Sequence, residues 1–138
     1  MTSARLVPEL ICSDIDASLA FYVGVLGFTV LYQRAEERFA YLDREGAQLM
    51  LEQPTGRTFL TAEVVRPYGR GVNFQIEVAD VDALYAAVRA AGAEVVLPME
   101  EKWYRVDAVE AGNRQFVVAD PDGYLLCFFQ DLGERVRQ

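Results

Sequence analysis

A repeated strand-end and helix-start pattern constrains the fold more than any other feature of the sequence. Ser13-Asp14-Ile15-Asp16-Ala17 matches Ala79-Asp80-Val81-Asp82-Ala83 at a constant offset of 66 residues, counted from Asp14 to Asp80. In each copy an apolar segment ends at an Asp, and apolar residues at helical spacing follow. Asp is favoured here because its carboxylate accepts hydrogen bonds from the free N–H groups of a helix N-terminus. The repeat therefore predicts two copies of one small α/β unit and gives these Asp residues no catalytic role.

Hydrophobic periodicity extends each copy to the order strand, helix, strand, strand, strand. The first copy is predicted to have a strand near 5–12, a helix near 15–26 and strands near 28–34, 38–43 and 47–53. The second is predicted to have a strand near 71–79, a helix near 81–91 and strands near 93–97, 103–109, 114–119 and 124–130. We predict an α+β fold in a single domain, 1–138, with module one at about 5–53, a connection at 54–70, module two at about 71–131 and a tail at 132–138.

Charge and composition limit the classes of binding partner and the cellular location that can be expected. The formal charge of −8 disfavours nucleic acid and anionic membranes, which carry the same sign. The apolar stretch from Ala17 to Tyr32 is shorter than a transmembrane helix of about 20 residues, and Gly24 and Gly27 interrupt it. The N-terminus lacks the apolar region of a signal peptide, and the two cysteines form neither a C-x-x-C pair nor a disulfide framework. We expect a cytoplasmic protein with buried free thiols.

Three stretches of the sequence resemble the vicinal oxygen chelate superfamily, which includes glyoxalases, bleomycin-resistance proteins and extradiol dioxygenases. They are the segment from Ser13 to Tyr22 with Leu26-Gly27-Phe28, then Phe39-Ala40-Tyr41-Leu42, and finally Phe116 to Tyr124 with its Asp-Pro-Asp-Gly turn. The resemblance implies two tandem βαβββ modules that form a curled mixed sheet with a cleft and helices on the outside. It also implies a homodimer.

Enzymes of this superfamily hold a divalent metal with His, Glu or Gln from the first and last strands of each module. The matching positions here are Val7, Met50, Asn73 and Cys127, and the chain contains no His. This set does not suit a divalent metal, so we predict no metal and no cofactor. A register slip of two residues would instead present Glu9, Glu52 and Gln75, oxygen ligands suited to Mg²⁺, Ca²⁺ or Mn²⁺.

Strand alternation predicts a polar, acidic cleft with aromatic residues beside it. Trp103 follows Glu100-Glu101-Lys102, a setting in which its ring could stack on a planar cation. The same face could also simply meet solvent or a partner subunit. The predicted ligand contacts are Trp103, Tyr104, Phe39, Tyr41, Phe59, Glu9, Met50, Asn73, Gln75 and Cys127.

Three functions remain open from the sequence. The first is metal-independent binding of an aromatic or cationic small molecule, as implied by the resemblance to bleomycin-resistance proteins, which confer antibiotic resistance by sequestering a drug without reaction. The second is a lyase, isomerase or dioxygenase-like enzyme that uses Glu9 or Glu52 as a base or an oxygen-only metal site. The third is a structural or regulatory subunit without a ligand. The first is our main prediction, with no catalytic residue.

Overall fold

In the computed structural model, which describes residues 2–137, the helix of each copy of the repeat is capped at its N-terminus. Asp14 Oδ1 accepts hydrogen bonds from the backbone N–H groups of Asp16 and Ala17 at 3.0 and 3.3 Å. Asp80 Oδ1 accepts one from Ala83 at 3.0 Å. Both predicted N-caps are confirmed.

The chain divides into two compact units that follow the two copies. The first unit comprises the chain through Arg70 together with Pro121–Gly123, and the second comprises Gly71–Asp120 and the chain from Tyr124 onward. The organisation as a single domain stays a prediction.

The first unit holds a four-stranded mixed sheet in the order β1-β4-β3-β2, with β1 parallel to β4. Its elements are β1 (Glu9–Ile11), α1 (Ile15–Leu19), a π-helical continuation (Ala20–Val25), β2 (Thr29–Arg34), a 3₁₀ turn (Ala35–Glu37), β3 (Phe39–Arg44) and β4 (Ala47–Glu52). Because side chains alternate along strands, one face of this sheet is buried and apolar, formed by Leu10, Ala40, Leu42, Leu49 and Leu51.

The predicted helix at 15–26 is only partly α-helical. After Leu19 the chain widens into a π-helix, in which the N–H of Leu26 donates to the carbonyl of Phe21 at 3.0 Å. The i to i+5 spacing is a feature of backbone geometry that apolar periodicity does not report.

The second unit also holds a four-stranded mixed sheet, in the order β5-β8-β7-β6, with β5 parallel to β8. Its elements are β5 (Asn73–Glu77), α2 (Val81–Ala90), β6 (Glu94–Val106), β7 (Val109–Ala119) and β8 (Leu125–Val136). Ile76, Val78, Val88, Phe116 and Phe128 are buried and form its core.

Three strand predictions for this unit need correction. The strands predicted at 93–97 and 103–109 are one strand, β6, because Pro98 lies in an irregularity of the β6–β7 pairing, between Leu97 and Glu100. Strand β7 begins at Val109 rather than near 114, and β8 continues through the predicted tail to Val136. The α+β class and the two βαβββ modules are confirmed. Within residues 2–137, no helix combines the length and apolar character that a membrane crossing needs.

Candidate functional site

The face of the first sheet opposite its apolar core carries an aromatic row. Strand register places Glu9 beside Met50, Met50 beside Tyr41, and Tyr41 beside Tyr32. The rings of Tyr32 and Tyr41 stack with centroids 5.2 Å apart and planes 19° from parallel. The Tyr41 hydroxyl donates to Gln48 Oε1 at 2.7 Å, which fixes this ring against the sheet.

A second row on the same face combines an acid, an aromatic ring and a cation. Glu52 pairs with Phe39, and Phe39 pairs with Arg34. The Arg34 guanidinium carbon lies 4.1 Å from the Phe39 ring centroid and 5.9 Å from that of Tyr32. Arg34 Nε also donates to Glu37 Oε2 at 2.5 Å. We call this surface the first polar face, defined by Glu9, Tyr32, Arg34, Phe39, Tyr41, Met50 and Glu52.

Two carboxyl groups of the first polar face interact directly. A hydrogen bond with Glu9 is the main cause that raises the pKa of Glu52 to about 7. Partial burial and the negative charges of Glu9 and Glu37 raise it further, and the positive charge of Arg34 opposes them. Since two neighbouring carboxylates repel, the pair retains a proton near neutral pH and can release it when a cation approaches.

An open pocket of about 620 Å³ lies over these groups. It is lined by Glu9, Arg34, Glu37, Glu52, Thr55, Gly56, Arg57 and Phe59. Phe59 is 81 % exposed, and the Arg57 guanidinium carbon lies 5.2 Å from its ring centroid. The pocket lining thus includes two predicted ligand contacts, Glu9 and Phe59, and the alternative base Glu52, which pairs with Phe39 in the strand register.

The second sheet has its own polar face, defined by Asn73, Gln75, Glu100, Tyr104, Gln115 and Cys127. Gln75 donates to Asn73 Oδ1 at 2.6 Å and lies beside Cys127 in the strand register. The buried Gln115 donates to both Glu100 Oε2, at 2.8 Å, and the Tyr104 hydroxyl, at 2.6 Å. Burial raises the pKa of the Cys127 thiol, and Glu100 adds to this, so Cys127 is a neutral thiol and a poor nucleophile.

Trp103 does not share a face with Tyr104, contrary to the expectation that both line one cleft. Trp103 pairs with Gly112 and Glu101 pairs with Arg114, whose side chain reaches Asp82 of α2 at 2.8 Å. Side-chain alternation therefore places Trp103 on the α2 side of the sheet, where Arg135 lies 4.1 Å from its ring centroid. The cation that stacks on Trp103 is therefore the Arg135 side chain of the protein itself, rather than a ligand.

Gly112 permits this stack because the indole lies directly on its backbone. A Cβ at this position would lie 2.6 Å from two carbons of the ring. We expect Gly112→Ala to lower the free energy of unfolding by about 2 kcal/mol, the range of an overpacked contact. Trp103 is the chain's single Trp, so its fluorescence should shift to the red as the ring moves into solvent.

Gly56→Ala is the control for this prediction, since nothing lies within 4 Å of the Cβ it would add. Urea unfolding followed by fluorescence measures both variants. Equal stability and unchanged emission for Gly112→Ala would contradict the assignment of Trp103 to an internal stack.

The positions that the superfamily resemblance assigns to metal ligands do not fit a divalent ion. Val7 has no donor atom, the Met50 thioether is a poor ligand for hard ions, and the Cys127 thiol is neutral. In the part of the chain that the structure describes, no three His, Cys, Asp or Glu side chains cluster so that they could hold a metal ion.

The aromatic and charged side chains of this region that the sequence did not predict are Tyr32, Arg34, Glu37 and Arg57. An irregularity in the β2–β3 pairing between Val30 and Tyr32 sets which β2 side chains lie beside Phe39 and Tyr41. The position of Arg57 depends on the path of the connection between the modules, and the sequence of that connection has no periodic pattern from which its path could be predicted.

Comparisons with known proteins show the family of this chain. A family model described as the glyoxalase/bleomycin resistance protein/dioxygenase superfamily matches residues 5–128. A bleomycin resistance protein of Geobacillus stearothermophilus is 27 % identical over 137 residues, which cover 91 % of this chain and 96 % of that protein.

Two solved structures share the fold at the same level of identity. TioX from Micromonospora sp. ML1 is 27 % identical with a TM-score of 0.74, covering 94 % of this chain and 100 % of that one. A protein of unknown function from Agrobacterium tumefaciens str. C58 is 27 % identical with a TM-score of 0.68, covering 96 % and 98 %. The chain belongs to the glyoxalase/bleomycin resistance protein/dioxygenase superfamily.

Proposed function

We propose that this protein is a metal-independent small-molecule binding protein that sequesters a planar cationic compound against the first polar face. The observation that carries the proposal is the Glu9–Glu52 carboxyl pair, which borders an open pocket with aromatic rings beside it. Flat apolar surface next to concentrated negative charge is the combination that recognises a planar cation.

The charges of the pocket lining support a ligand with one positive charge. The lining contains three carboxyl groups, those of Glu9, Glu37 and Glu52, and the two guanidinium groups of Arg34 and Arg57. With Glu52 ionised the lining has one unbalanced negative charge, which a monocation neutralises. A dianion or a phosphate would meet repulsion from the carboxylates.

Similarity to a relative supports a role in resistance to a toxic compound, since the similar Geobacillus stearothermophilus protein is a bleomycin resistance protein. We extend the proposal to a cytoplasmic homodimer and to ligand contacts from Asn73, Gln75, Tyr104 and Cys127 on the second polar face. Tyr104 is 43 % exposed and offers both a ring face and a hydroxyl group.

A thermal-shift panel with dialysed protein tests this function. The panel contains benzamidinium and ethidium as planar cations, bleomycin, an uncharged planar compound, Mn²⁺ and Ni²⁺. A bound compound at about 100 times its Kd should stabilise the fold by roughly 2.7 kcal/mol. We expect this shift for planar cations, no effect of EDTA, and unchanged compound in the recovered sample by mass spectrometry.

Two results would contradict the proposal. A shift with Mn²⁺ or Ni²⁺ alone, or loss of ligand binding on chelation, would show that a metal is required. A panel without any shift, combined with capture of a stable protein partner, would favour the structural or regulatory role.

A second candidate is a metal-free enzyme of the lyase or isomerase type, favoured by the pKa of about 7 for Glu52. A carboxylate that titrates near neutral pH can accept and return a proton during a reaction. Turnover of an α-keto or thioester compound that persists in EDTA and is lost in Glu52→Gln would establish this function in place of sequestration.

A further inference from the structure

Arg34 occupies the part of the pocket in which a planar cation would find its best contacts. Its guanidinium carbon lies 4.1 Å from the centroid of the Phe39 ring, and the Phe39 side chain is buried, with 7 % of its surface exposed. Its Nε binds the Glu37 carboxylate. A flat, positively charged group is therefore already held by an aromatic face and a carboxylate.

We propose that Arg34 is a built-in competitor for the ligand, and that the ligand's cationic group is a flat monocation of the guanidinium or amidinium type, which displaces the Arg34 side chain. This inference rests on the proposed function and specifies its ligand class. A group with the same shape and charge makes the same contacts with the Phe39 ring and the Glu37 carboxylate, and it lies near Glu52, which pairs with Phe39 in the neighbouring strand.

The contacts that hold Arg34 are weak enough for displacement. The Arg34 and Glu37 side chains are 44 % and 57 % exposed, and such solvent-exposed ion pairs contribute little to stability. Arg34 is the last residue of β2 and precedes the 3₁₀ turn, so its side chain can turn toward solvent without a change in the sheet. The displaced guanidinium is then hydrated, and the Phe39 ring is free for the ligand.

Planarity separates this ligand class from other cations. A guanidinium or amidinium group stacks its face on a ring and binds a carboxylate through two parallel N–H groups. A compact, strongly hydrated ammonium group does neither equally well. We therefore expect benzamidinium to bind more tightly than benzylammonium, which has the same charge and a similar ring.

The experiment compares four proteins, wild type, Arg34→Gln, Arg34→Lys and Arg57→Gln, by benzamidinium titration at pH 8. Arg34→Gln and Arg57→Gln each remove one positive charge from the same pocket, while Arg34→Lys keeps the charge and removes only the planar group. We expect an affinity gain of about tenfold for Arg34→Gln, about threefold for Arg34→Lys and about twofold for Arg57→Gln.

NMR of the Arg34 side-chain Nε–H group gives a direct readout in the wild-type protein. We expect its ring-shifted resonance to move to the position of a solvated arginine as benzamidinium is added. Equal affinity gains in Arg34→Gln and Arg57→Gln, or an unmoved resonance at saturation, would overturn the competitor role alone. Absence of binding to all four proteins would overturn the proposed function as well.

Discussion

Between pH 6 and pH 8 the affinity for a planar monocation should rise about tenfold, if the bound cation lowers the pKa of Glu52 by about two units. In the free protein this pKa is about 7, so below pH 7 the carboxyl is mostly protonated. A cation beside it favours the ionised form, so binding below pH 7 must release a proton. Affinity therefore increases as pH rises and levels off above pH 7.

Glu52→Gln should abolish this pH dependence. The substitution removes the carboxyl whose pKa is about 7 and leaves the other charged groups near it, Glu9, Glu37, Arg34 and Arg57, in place. At pH 8 the variant should bind about tenfold more weakly, because one full negative charge is lost near the cation.

Isothermal titration calorimetry in two buffers of different ionisation enthalpy measures both the affinity and the proton released. Glu36→Gln removes the same charge from an exposed neighbour outside the pocket lining and should keep the wild-type profile. A flat profile in the wild-type protein, or a wild-type profile in Glu52→Gln, would show that this carboxyl does not meet the cation.

Gly123→Ala should lower the free energy of unfolding by about 3 kcal/mol, through backbone strain and steric overlap together. Gly123 has φ +104°, a conformation that L side chains rarely adopt, and the added Cβ would lie 2.9 Å from Pro67 Cα. The same turn holds the buried Asp122, which accepts hydrogen bonds from Ser13 N at 3.0 Å and Arg66 Nη2 at 2.8 Å. A shifted turn weakens both.

Gly46→Ala separates the two effects. Its φ of +92° is similar, but nothing lies within 4 Å of the added Cβ, so only the backbone cost of about 1 kcal/mol remains. Urea unfolding of both variants gives the comparison. Equal losses would show that the close approach of Pro67 has no energetic consequence.

Much of the fold could be predicted from local patterns. The Asp14 and Asp80 caps and the hydrophobic periodicity of the flanking strands are short-range signals, and they predicted the two modules. The long hairpin strands were missed because their stability depends on partners far along the chain. Pro98 suggests a break in β6 until the pairing irregularity around it is known.

The candidate site was predicted less completely than the fold. Alternation correctly placed Glu9, Met50 and Glu52 on one face, because those residues lie in regular strands. The same rule separates Trp103 from Tyr104, since adjacent residues of a strand point to opposite sides. Arg34 could not be placed, because its neighbours depend on the irregular β2–β3 register.

The far half of β8 has a consequence for how copies of this chain meet at high concentration. Only Leu125–Phe129 pair with β5, so among the described strands the segment from Gln130 to Val136 has a sheet neighbour on its β7 side alone. An open strand edge can template fibril growth by accepting another strand. Here Asp131, Glu134 and Arg135 line that edge, and an added identical strand in parallel register would bring like charges together. The β7–β8 hairpin can therefore extend beyond β5 with an open edge, because charge repulsion opposes the addition of an identical strand there.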